Sequence, residues 1–314
     1  MPRLGAASDA LLHLGEALLA RGYRFTAVTP LTHRRVNARP GNELARTLAD
    51  VFGWSRPFNR EVLDDELFEL MRKAEVLGKQ GELWVSQVRW ASLDDGLLVH
   101  SRFPTDGADA VFFGPDTYRF VRALHAYLRC DTRARLRIAD IGCGAGPGAL
   151  CAARARPQAQ VLALDINDRA LAFTAVNATL AGVVNLRPRH SDLLADVDGE
   201  FDLIMSNPPY LIDPQKRVYR HGGGERGAGL SQAIVATAMQ RLAPGGTLLL
   251  YTGVAVRQGQ DPFLGFLRTV LDAPTWQWTY EEVDPDVFGE ELETPAYADS
   301  DRIAAVVLRL TRAL

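Results

Sequence analysis

The chain has 314 residues, a formal net charge of −3 and 47% hydrophobic residues. This length and composition are typical of one large or two modest globular domains with a complete hydrophobic core. The nearly balanced charge gives no indication of a nucleic-acid or membrane partner for the protein as a whole. The apolar stretch over 11–20 is interrupted by His13 and Glu16, so we predict neither a signal peptide nor a membrane span.

The cysteine and histidine patterns argue against disulfides and metal sites. Cys130, Cys143 and Cys151 have no C-x-x-C spacing, and their odd number leaves one thiol unpaired in any disulfide scheme. This favours the reducing environment of the cytoplasm. The six histidines are scattered and include no H-x-x-x-H pair, so the sequence predicts no metal.

The first 105 residues predict a small α+β module. Apolar residues recur at helical spacing in three segments, 8–21, 42–51 and 64–77. Ser8 or Asp9 is the expected cap of the first helix. Two alternating segments, 83–92 and 97–102, flank Asp94-Asp95-Gly96, which predicts a β-hairpin. Helices followed by a hairpin are typical of winged-helix modules, so we predict a substrate-recognition module over 1–105, with a packing role as the alternative.

Residues 106–314 alternate strand-like and helix-like runs. The predicted strands are 136–141, 160–164, 186–189, 202–206 and 247–251, and the predicted helices include 119–128, 168–181 and 231–242. This alternation predicts a Rossmann-like α/β domain, whose sheet is mostly parallel with right-handed crossovers. Two further runs, 276–282 and 303–310, are expected to form an antiparallel hairpin that closes the edge of a seven-stranded sheet.

A glycine-rich turn follows the first predicted strand of this domain. It runs Asp140-Ile141-Gly142-Cys143-Gly144-Ala145-Gly146-Pro147-Gly148. Glycines let the backbone turn tightly and approach a ligand closely, and open α/β sheets bind ligands at the carboxyl ends of their strands. Alone, the turn is compatible with a dinucleotide, another nucleoside cofactor or a plain strand–helix connection.

Acidic residues after the next two strands favour a nucleoside cofactor. Asp165 is positioned to accept hydrogen bonds from ribose hydroxyls, although it can also cap the next helix. Asp192, in His190-Ser191-Asp192, is positioned to accept from an adenine amino group, with a solvated turn as the alternative. Because nothing in the glycine turn binds pyrophosphate unambiguously, we favour S-adenosylmethionine over a nicotinamide dinucleotide.

An aromatic segment, Phe112-Phe113-Gly114-Pro115-Asp116-Thr117-Tyr118, precedes the predicted helix at 119–128. We expect Asp116 or Thr117 to cap this helix and the aromatic rings to lie over the cofactor; an ordinary helix start with an apolar staple is the alternative. The predicted cofactor-binding residues are Phe113, Thr117, Asp140, Gly142, Cys143, Gly144, Gly146, Asp165, Ile166, Ser191, Asp192 and Asn207.

The tetrapeptide Asn207-Pro208-Pro209-Tyr210 follows the apolar run 201–205. The side-chain oxygen of Asn207 and the backbone carbonyl of Pro208 can each accept one N–H of a planar amino or amide group, which aims its nitrogen at a methyl donor. Pro209 stiffens the backbone, and Tyr210 is expected to stack on the acceptor. These four residues are the predicted catalytic residues. Together with the glycine turn they indicate N-methylation, whereas a rigid loop without chemistry is the alternative.

The sequence resembles the class I S-adenosylmethionine-dependent methyltransferases that carry an Asn-Pro-Pro-Tyr motif. More narrowly, it is similar to the release-factor glutamine methyltransferases and to relatives that methylate amino groups of adenine or guanine. The resemblance covers roughly residues 110–255, and it rests on the glycine turn, Asp165, Asp192, the tetrapeptide and Pro244-Gly245-Gly246.

This resemblance implies a macromolecular acceptor. A glutamine side chain in a translation factor or ribosomal protein is favoured, and adenine N6 or guanine N2 of RNA is the alternative. A non-catalytic S-adenosylmethionine-binding protein is an alternative of another class. After the tetrapeptide the chain departs from the family, and its glycine-rich loop 219–230 predicts a mobile flap whose Arg220 or Arg226 meets a phosphate or a carboxylate. Acidic residues crowd 281–301; we expect a solvated loop there, with a face that repels phosphate as the alternative.

Overall fold

The computed structural model describes residues 5–134 and 136–314. Within these residues the α-helices are α1 (Ala6–Ala20), α2 (Pro30–Asn37), α3 (Leu48–Phe52), α4 (Asp65–Lys73), α5 (Pro115–Cys130), α6 (Pro147–Ala155), α7 (Asp168–Leu180), α8 (Gly229–Arg241) and α9 (Pro262–Val270). The strands are β1 (Leu77–Gln80), β2 (Leu83–Ser86), β3 (Val88–Leu93), β4 (Gly96–Ser101), β5 (Arg137–Ile141), β6 (Gln160–Asp165), β7 (Leu186–His190), β8 (Phe201–Ser206), β9 (Leu242–Val256), β10 (Trp276–Asp284) and β11 (Arg302–Arg312).

A seven-stranded sheet in the order β10-β11-β9-β8-β5-β6-β7 forms the centre of the molecule. The five strands from β5 to β9 are parallel to one another, whereas β11 is antiparallel to both β9 and β10. The predicted Rossmann-like sheet with its C-terminal hairpin is therefore confirmed. Strand β9 is longer than predicted because β11 pairs with it from Thr247 to Val256.

Helices cover both faces of this sheet, as expected for parallel strands buried on both sides. Leu248 and Leu250 of β9 share one hydrophobic cluster with side chains of α8 and α9. Their neighbours Leu249 and Tyr251 belong to the opposite cluster, with side chains of α5 and α6. Because side chains alternate between the two faces along one strand, the sheet is packed between two layers of helices. This packing fixes the carboxyl ends of the strands.

The N-terminal helices differ from their predicted bounds for local reasons. Helix α1 begins after Gly5 without a side-chain cap, so neither Ser8 nor Asp9 has the predicted role. The second predicted helix contracts to α3, which begins after a capping box formed by Thr47 and Asp50. Helix α4 ends at Lys73, and Glu75 then adopts a left-handed backbone with φ of 58°. Helix α2, capped by Thr29, was not predicted.

The predicted hairpin around Asp94-Asp95-Gly96 is confirmed. Strands β3 and β4 pair antiparallel, with Leu93 opposite Gly96. The preceding segment is divided, however, because β2 pairs with β1 instead of continuing into β3.

The N-terminal segment packs closely against the central domain. Trp90 of β3 is fully buried in a cluster that also contains Phe173 and Val176 of α7. The buried amide of Asn177 accepts a hydrogen bond from the Val99 N–H at 2.8 Å and donates to the Ala145 carbonyl at 2.9 Å. One side chain thus joins β4, α7 and the glycine turn. The division into residues 1–105 and 106–314 stays a prediction.

Among residues 5–134 and 136–314, no helix combines the length and the hydrophobicity that a membrane span requires.

Candidate active site

The candidate site lies where the order of strands reverses. The chain proceeds from β5 to β6 and β7 on one side and then returns to place β8 on the other side of β5. Ile141 at the end of β5 is opposite Ser206 at the end of β8, and the Ser206 hydroxyl donates to the Ile141 carbonyl at 2.7 Å. Gly142 and Asn207 therefore leave the sheet side by side. Ligands of open α/β sheets bind at such a switch point.

A cavity of about 310 Å³ opens at this point and brings together most of the predicted site. The predicted residues that line it are Thr117, Asp140, Gly142, Cys143, Gly144, Asp165, Ile166, Ser191, Asp192, Asn207, Pro208, Pro209 and Tyr210. The glycine turn and the tetrapeptide thus face one common space, although they are more than 60 residues apart in the chain.

Phe113 and Gly146 do not line the cavity, which corrects two predicted contacts. Phe113 is fully buried and stacks on His100, with ring centroids 5.2 Å apart; its neighbour Phe112 lines the cavity instead. Gly146 precedes α6 with φ of 80°, and a Cβ there would lie 2.8 Å from Thr174. Gly146 therefore serves the fold of the turn rather than contact with a ligand.

Hydrogen bonds from the neighbouring strand fix the glycine turn. The Gly144 N–H donates to Oδ2 of Asp165 at 2.9 Å, and the Asn167 N–H donates to Oδ1 at the same distance. The Gly144 carbonyl accepts from the Thr174 hydroxyl at 2.9 Å. Asp165 therefore supports the turn and also faces the cavity. The cap of α7 is Asn167, so the capping alternative for Asp165 is wrong.

Two neighbouring carboxyl groups on this wall are buried. Burial raises the pKa of Asp140 to about 7, and it also raises the pKa of Asp165. The Asp140 carboxylate accepts a hydrogen bond from the Ala149 N–H at 2.8 Å, at the amino end of α6. A helix amino end favours negative charge, so this contact holds Asp140 in place behind the glycines.

The part of the cavity wall that includes Ile166 and Asp192 is more exposed to solvent. Asp192 is exposed at the cavity margin, whereas Ser191 is buried and accepts a hydrogen bond from the Asp196 N–H at 3.2 Å. Ile166 is 49% exposed although it is a large apolar side chain. Because it also lines the cavity, this side chain presents an apolar surface there.

A buried network of hydrogen bonds and ion pairs, which the sequence did not predict, holds Tyr210 in place. Its hydroxyl donates to Oδ2 of Asp116 at 2.7 Å, and the Tyr251 hydroxyl donates to Oδ1 at 2.6 Å. Arg119 lies 3.1 Å from Oδ1 and 2.7 Å from a carboxylate oxygen of Asp284. Burial raises the pKa of Tyr210 well above its usual value, so this hydroxyl keeps its proton. The network anchors the tetrapeptide to α5 and β9, and stacking of Tyr210 on an acceptor stays a prediction.

The predicted capping of α5 is also corrected here. The helix begins after Gly114, which places Asp116 and Thr117 inside its first turn. The Thr117 hydroxyl accepts a hydrogen bond from the Gly114 N–H at 3.3 Å. The Asp116 carboxylate accepts hydrogen bonds from the hydroxyls of Tyr210 and Tyr251.

Asp116→Ala is expected to lower the free energy of unfolding by about 3–5 kcal/mol, the range for breaking a buried pair. The change leaves two buried hydroxyl donors without an acceptor and removes a partner of Arg119. Urea denaturation measures this effect. Asp284→Ala is the matched control, because it removes the more exposed partner of Arg119 and should cost about 1 kcal/mol or less. Equal effects of the two changes would contradict the assigned role of Asp116.

The loop 211–228 includes most of the segment predicted as a flap, 219–230, and is called the flap from here on; it continues from the tetrapeptide and lines one side of the cavity. The Gly222 N–H donates to the Leu211 carbonyl at 2.8 Å. A Cβ at Gly227 would lie 2.1 Å from the Tyr210 carbonyl oxygen, so the flap backbone lies directly against the tetrapeptide. The Tyr219 hydroxyl donates to the Thr105 carbonyl at 2.5 Å.

Ion pairs hold the arginines of the flap. Arg217 pairs with Asp213 at 2.7 Å and holds the pKa of that carboxyl at about 2. Arg220 pairs with Glu291, and Arg226 makes two hydrogen bonds with Asp299. The acidic stretch at 281–301 therefore supplies partners for the flap. Arg220 and Arg226, predicted to meet a phosphate or a carboxylate, have their carboxylates within the chain itself.

Gly227→Ala is expected to lower turnover by about 10²-fold, the typical cost of displacing a positioned group by an ångström. The added Cβ has no space against the Tyr210 carbonyl, and the glycine has φ of 88°. Gly223→Ala is the control: this residue also has a positive φ, of 66°, but a Cβ there meets nothing within 4 Å. Equal turnover of the two variants in an activity assay would show that the flap contact has no part in positioning.

Comparisons with known proteins agree with this geometry. Residues 122–262 match the methyltransferase small domain family. The release factor glutamine methyltransferase of Deinococcus radiodurans is 36% identical over 169 residues, which cover 49% of this chain and 55% of that protein. A 4-amino-L-phenylalanine/4-methylamino-L-phenylalanine methyltransferase of Streptomyces pristinaespiralis is 33% identical over 153 residues, covering 44% of this chain and 52% of that protein. The chain thus spans about half the length of the curated relatives it matches.

A solved structure supports the fold alone. The S-adenosylmethionine-dependent methyltransferase of Agrobacterium tumefaciens superposes with a TM-score of 0.50 at 15% identity, covering 76% of this chain and 75% of that protein. The resemblance to class I methyltransferases of the release-factor glutamine type, first drawn from the motifs, is confirmed by the relatives.

Sequence reasoning missed several residues that line the cavity. They include Phe120, Val218 and Phe288. Each is a common residue type in a loop or helix without a motif around it, and only the fold brings them together. Phe112, by contrast, lies in the aromatic segment that was expected over the cofactor, and Tyr219 and His221 lie in the loop that was predicted to be a flap.

Proposed function

We propose that this protein is an S-adenosylmethionine-dependent N-methyltransferase that acts on a planar amino or amide nitrogen. The observation that carries the proposal is the position of Gly142 and Asn207, which leave neighbouring strands into one cavity. A cofactor wall and an acceptor-holding tetrapeptide are thereby adjacent. Transfer between two bound molecules requires this arrangement, because the reacting atoms must meet at about 3–3.5 Å.

The residues that follow β5, β6 and β7 suit S-adenosylmethionine as the cofactor. A Cβ at Gly142 would meet nothing within 4 Å, so the backbone there is open to close approach by a ligand. Asp165 presents a buried carboxylate for ribose hydroxyls, Ile166 an apolar face for adenine and Asp192 an acceptor for its amino group. The bound cofactor would supply an electrophilic methyl group.

The tetrapeptide positions the acceptor. The Asn207 side-chain oxygen and the Pro208 carbonyl accept the two N–H bonds of the acceptor group, and this draws electron density toward the nitrogen lone pair. These acceptors also stabilise the positive charge that develops on nitrogen during transfer. The Ser206–Ile141 and Tyr210–Asp116 contacts hold the tetrapeptide from both ends, so its carbonyls are in position before the acceptor arrives.

A glutamine side chain in a translation factor or ribosomal protein is the favoured acceptor. The relatives named as release factor glutamine methyltransferases support this choice. RNA is disfavoured because Arg217, Arg220 and Arg226 are neutralised by carboxylates next to the cavity. With free thiols at Cys130, Cys143 and Cys151, we propose that the reaction takes place in the cytoplasm.

A small aromatic amine is a second candidate acceptor. Phe112, Tyr219 and Phe288 line the cavity, and Phe112 and Tyr219 have nearly parallel rings with centroids 6.1 Å apart. Such rings favour a flat apolar acceptor over an extended glutamine side chain. The Streptomyces relative, by its name, acts on an amino-phenylalanine.

A labelling experiment separates these acceptors. Tritiated S-adenosylmethionine and the purified protein are added to a cell extract, which is then divided for protease, ribonuclease and filtration. Label that is released only by protease supports the glutamine acceptor, and label released only by ribonuclease moves the acceptor to RNA. Label in a small-molecule product that chromatography of the filtrate separates from unreacted S-adenosylmethionine supports the aromatic amine. If cofactor binds but no fraction is labelled, the protein is a non-catalytic binder and the proposal is wrong.

A further inference from the structure

Three metal-ligating side chains meet on the surface away from the candidate active site. Asp94 lies in the β3–β4 turn, His125 in α5 and Cys151 in α6. Their ligand atoms all lie within 4.8 Å of one another. His125 Nε2 is 3.0 Å from Oδ2 of Asp94, and Cys151 Sγ is 3.8 Å from the same oxygen.

These separations suit a tetrahedral metal ion. Nitrogen, oxygen and sulfur ligands bind zinc at about 2.0–2.3 Å, which places neighbouring ligand atoms about 3.3–3.8 Å apart. The observed distances from Asp94 Oδ2, 3.0 Å to His125 Nε2 and 3.8 Å to Cys151 Sγ, lie at or close to the limits of this range. Small side-chain rotations would therefore bring the three ligand atoms to tetrahedral positions around one ion. One imidazole, one carboxylate and one thiolate form a borderline-soft donor set that favours zinc over magnesium or calcium.

A small cavity next to the cluster provides access. It has a volume of about 90 Å³, and its walls include Asp94, Asp95, Cys151 and Arg154. Cys151 is only 6% exposed, whereas Asp94 and His125 reach the surface. Solvent can therefore deliver an ion and occupy a fourth coordination position from the cavity side.

We propose that Asp94, His125 and Cys151 bind one zinc ion, or another transition metal of similar preference, with water as a fourth ligand. On binding, the Cys151 thiol releases its proton to solvent. The ion would tie the β3–β4 turn of the N-terminal segment to α5 and α6, two helices of the central domain. The sequence pattern predicted no metal, because the ligands come from three elements separated by 31 and 26 residues and match no spacing motif.

The same three residues also suit an ordinary polar contact without a metal. In that case the His125 Nε2–H donates a hydrogen bond to Asp94, and the Cys151 thiol donates a weak hydrogen bond to the same carboxylate. The two interpretations differ in what they predict for a metal titration. A coordinated thiolate gives Co²⁺ a sulfur-to-metal charge-transfer absorption, whereas a hydrogen-bonded thiol leaves the spectrum of Co²⁺ unchanged.

The test is a Co²⁺ titration of the full-length protein after removal of any affinity tag and treatment with a chelator. We expect one Co²⁺ per chain with a charge-transfer band that stoichiometric Zn²⁺ abolishes. Cys151→Ser should remove the band and weaken Co²⁺ binding by about 100-fold or more, exceeding the roughly 10–100-fold cost of losing only an outer-shell contact. His125→Gln should weaken binding similarly.

Matched controls exclude other sites. Cys130→Ser alters an exposed free thiol and His13→Gln an exposed imidazole, and both variants should bind Co²⁺ as the unmodified protein does. Circular dichroism establishes that each variant is folded. The proposal is overturned if the unmodified protein shows no charge-transfer band, or if folded Cys151→Ser keeps it. Because the readout is metal binding, neither result depends on methyl transfer.

Discussion

Asn207→Ala is expected to lower kcat by about 10²–10³-fold, the cost of removing one preorganised polar contact from a reacting group. Asn207 is half-buried at the end of β8, and its side chain lines the cavity beside the glycine turn. The alanine variant keeps the Pro208 carbonyl but loses the second acceptor for the nucleophile. Affinity for S-adenosylmethionine should remain nearly unchanged, because the other predicted cofactor-binding residues, among them Asp165 and Asp192, stay in place.

The measurement pairs steady-state methyl transfer with calorimetric cofactor binding. Asn59→Ala is the matched control, since Asn59 is exposed, lies outside the cavity and makes no side-chain capping contact. This variant should retain full activity. Activity of Asn207→Ala within a few-fold of the unmodified protein would remove Asn207 from the mechanism, and a parallel loss of cofactor affinity would assign it to binding instead.

Asp165→Ala is expected to weaken S-adenosylmethionine binding by about 1.5–3 kcal/mol, the range for a hydrogen bond to a charged group. This corresponds to an increase in Kd of about 10–150-fold. Two causes contribute: the ribose hydroxyls lose their acceptor, and the Gly144 and Asn167 N–H groups lose the carboxylate that fixes the turn. Asp198→Ala is the control, because Asp198 is exposed and outside the cavity. Unchanged affinity in Asp165→Ala would remove that residue from the site.

The same residue predicts a pH dependence of cofactor binding. Burial raises the pKa of Asp165, so acidification protonates it more readily than an ordinary carboxyl group. Ribose hydroxyls donate best to the ionised form, and the cofactor should therefore bind more weakly as the pH falls toward that raised pKa. Burial also raises the pKa of Asp140 on this wall, to about 7. Asp165→Asn should bind the cofactor more weakly at neutral pH and lose most of the pH dependence, whereas an unchanged pH dependence would assign it to Asp140.

The central sheet could be predicted from the sequence because its strands are buried on both faces. Continuous apolar runs such as 202–206 have few other stable arrangements, and the glycine and proline residues after them mark the turns. The position of the site could be predicted for a related reason, because the carboxyl ends of parallel strands lie at the same edge of the sheet. Asp165 and Asn207 were therefore predictable as parts of one site, although β5 lies between their strands.

The remaining parts depend on contacts between distant segments. Asp116 looks like a helix cap in the sequence, but its role is set by Tyr210 and Tyr251, which are 94 and 135 residues away. The sequence of the acidic stretch indicates only solvated carboxylates, whereas in the structure Glu291 and Asp299 form ion pairs with the flap residues Arg220 and Arg226. The short helix α3 was overestimated because Leu44 and Leu48 recur at helical spacing, although the Thr47–Asp50 cap starts the helix later.

The most direct test of the central claim is peptide mass spectrometry of proteins methylated in extract with labelled S-adenosylmethionine, by the unmodified protein and by Asn207→Ala in parallel. The account predicts a methyl group on a glutamine side chain of a translation protein with the unmodified enzyme, and its loss with the variant although the cofactor still binds. Equal labelling by both proteins, or failure of the unmodified protein to bind S-adenosylmethionine, would contradict the claim that the glycine turn and the tetrapeptide form one methyl-transfer site.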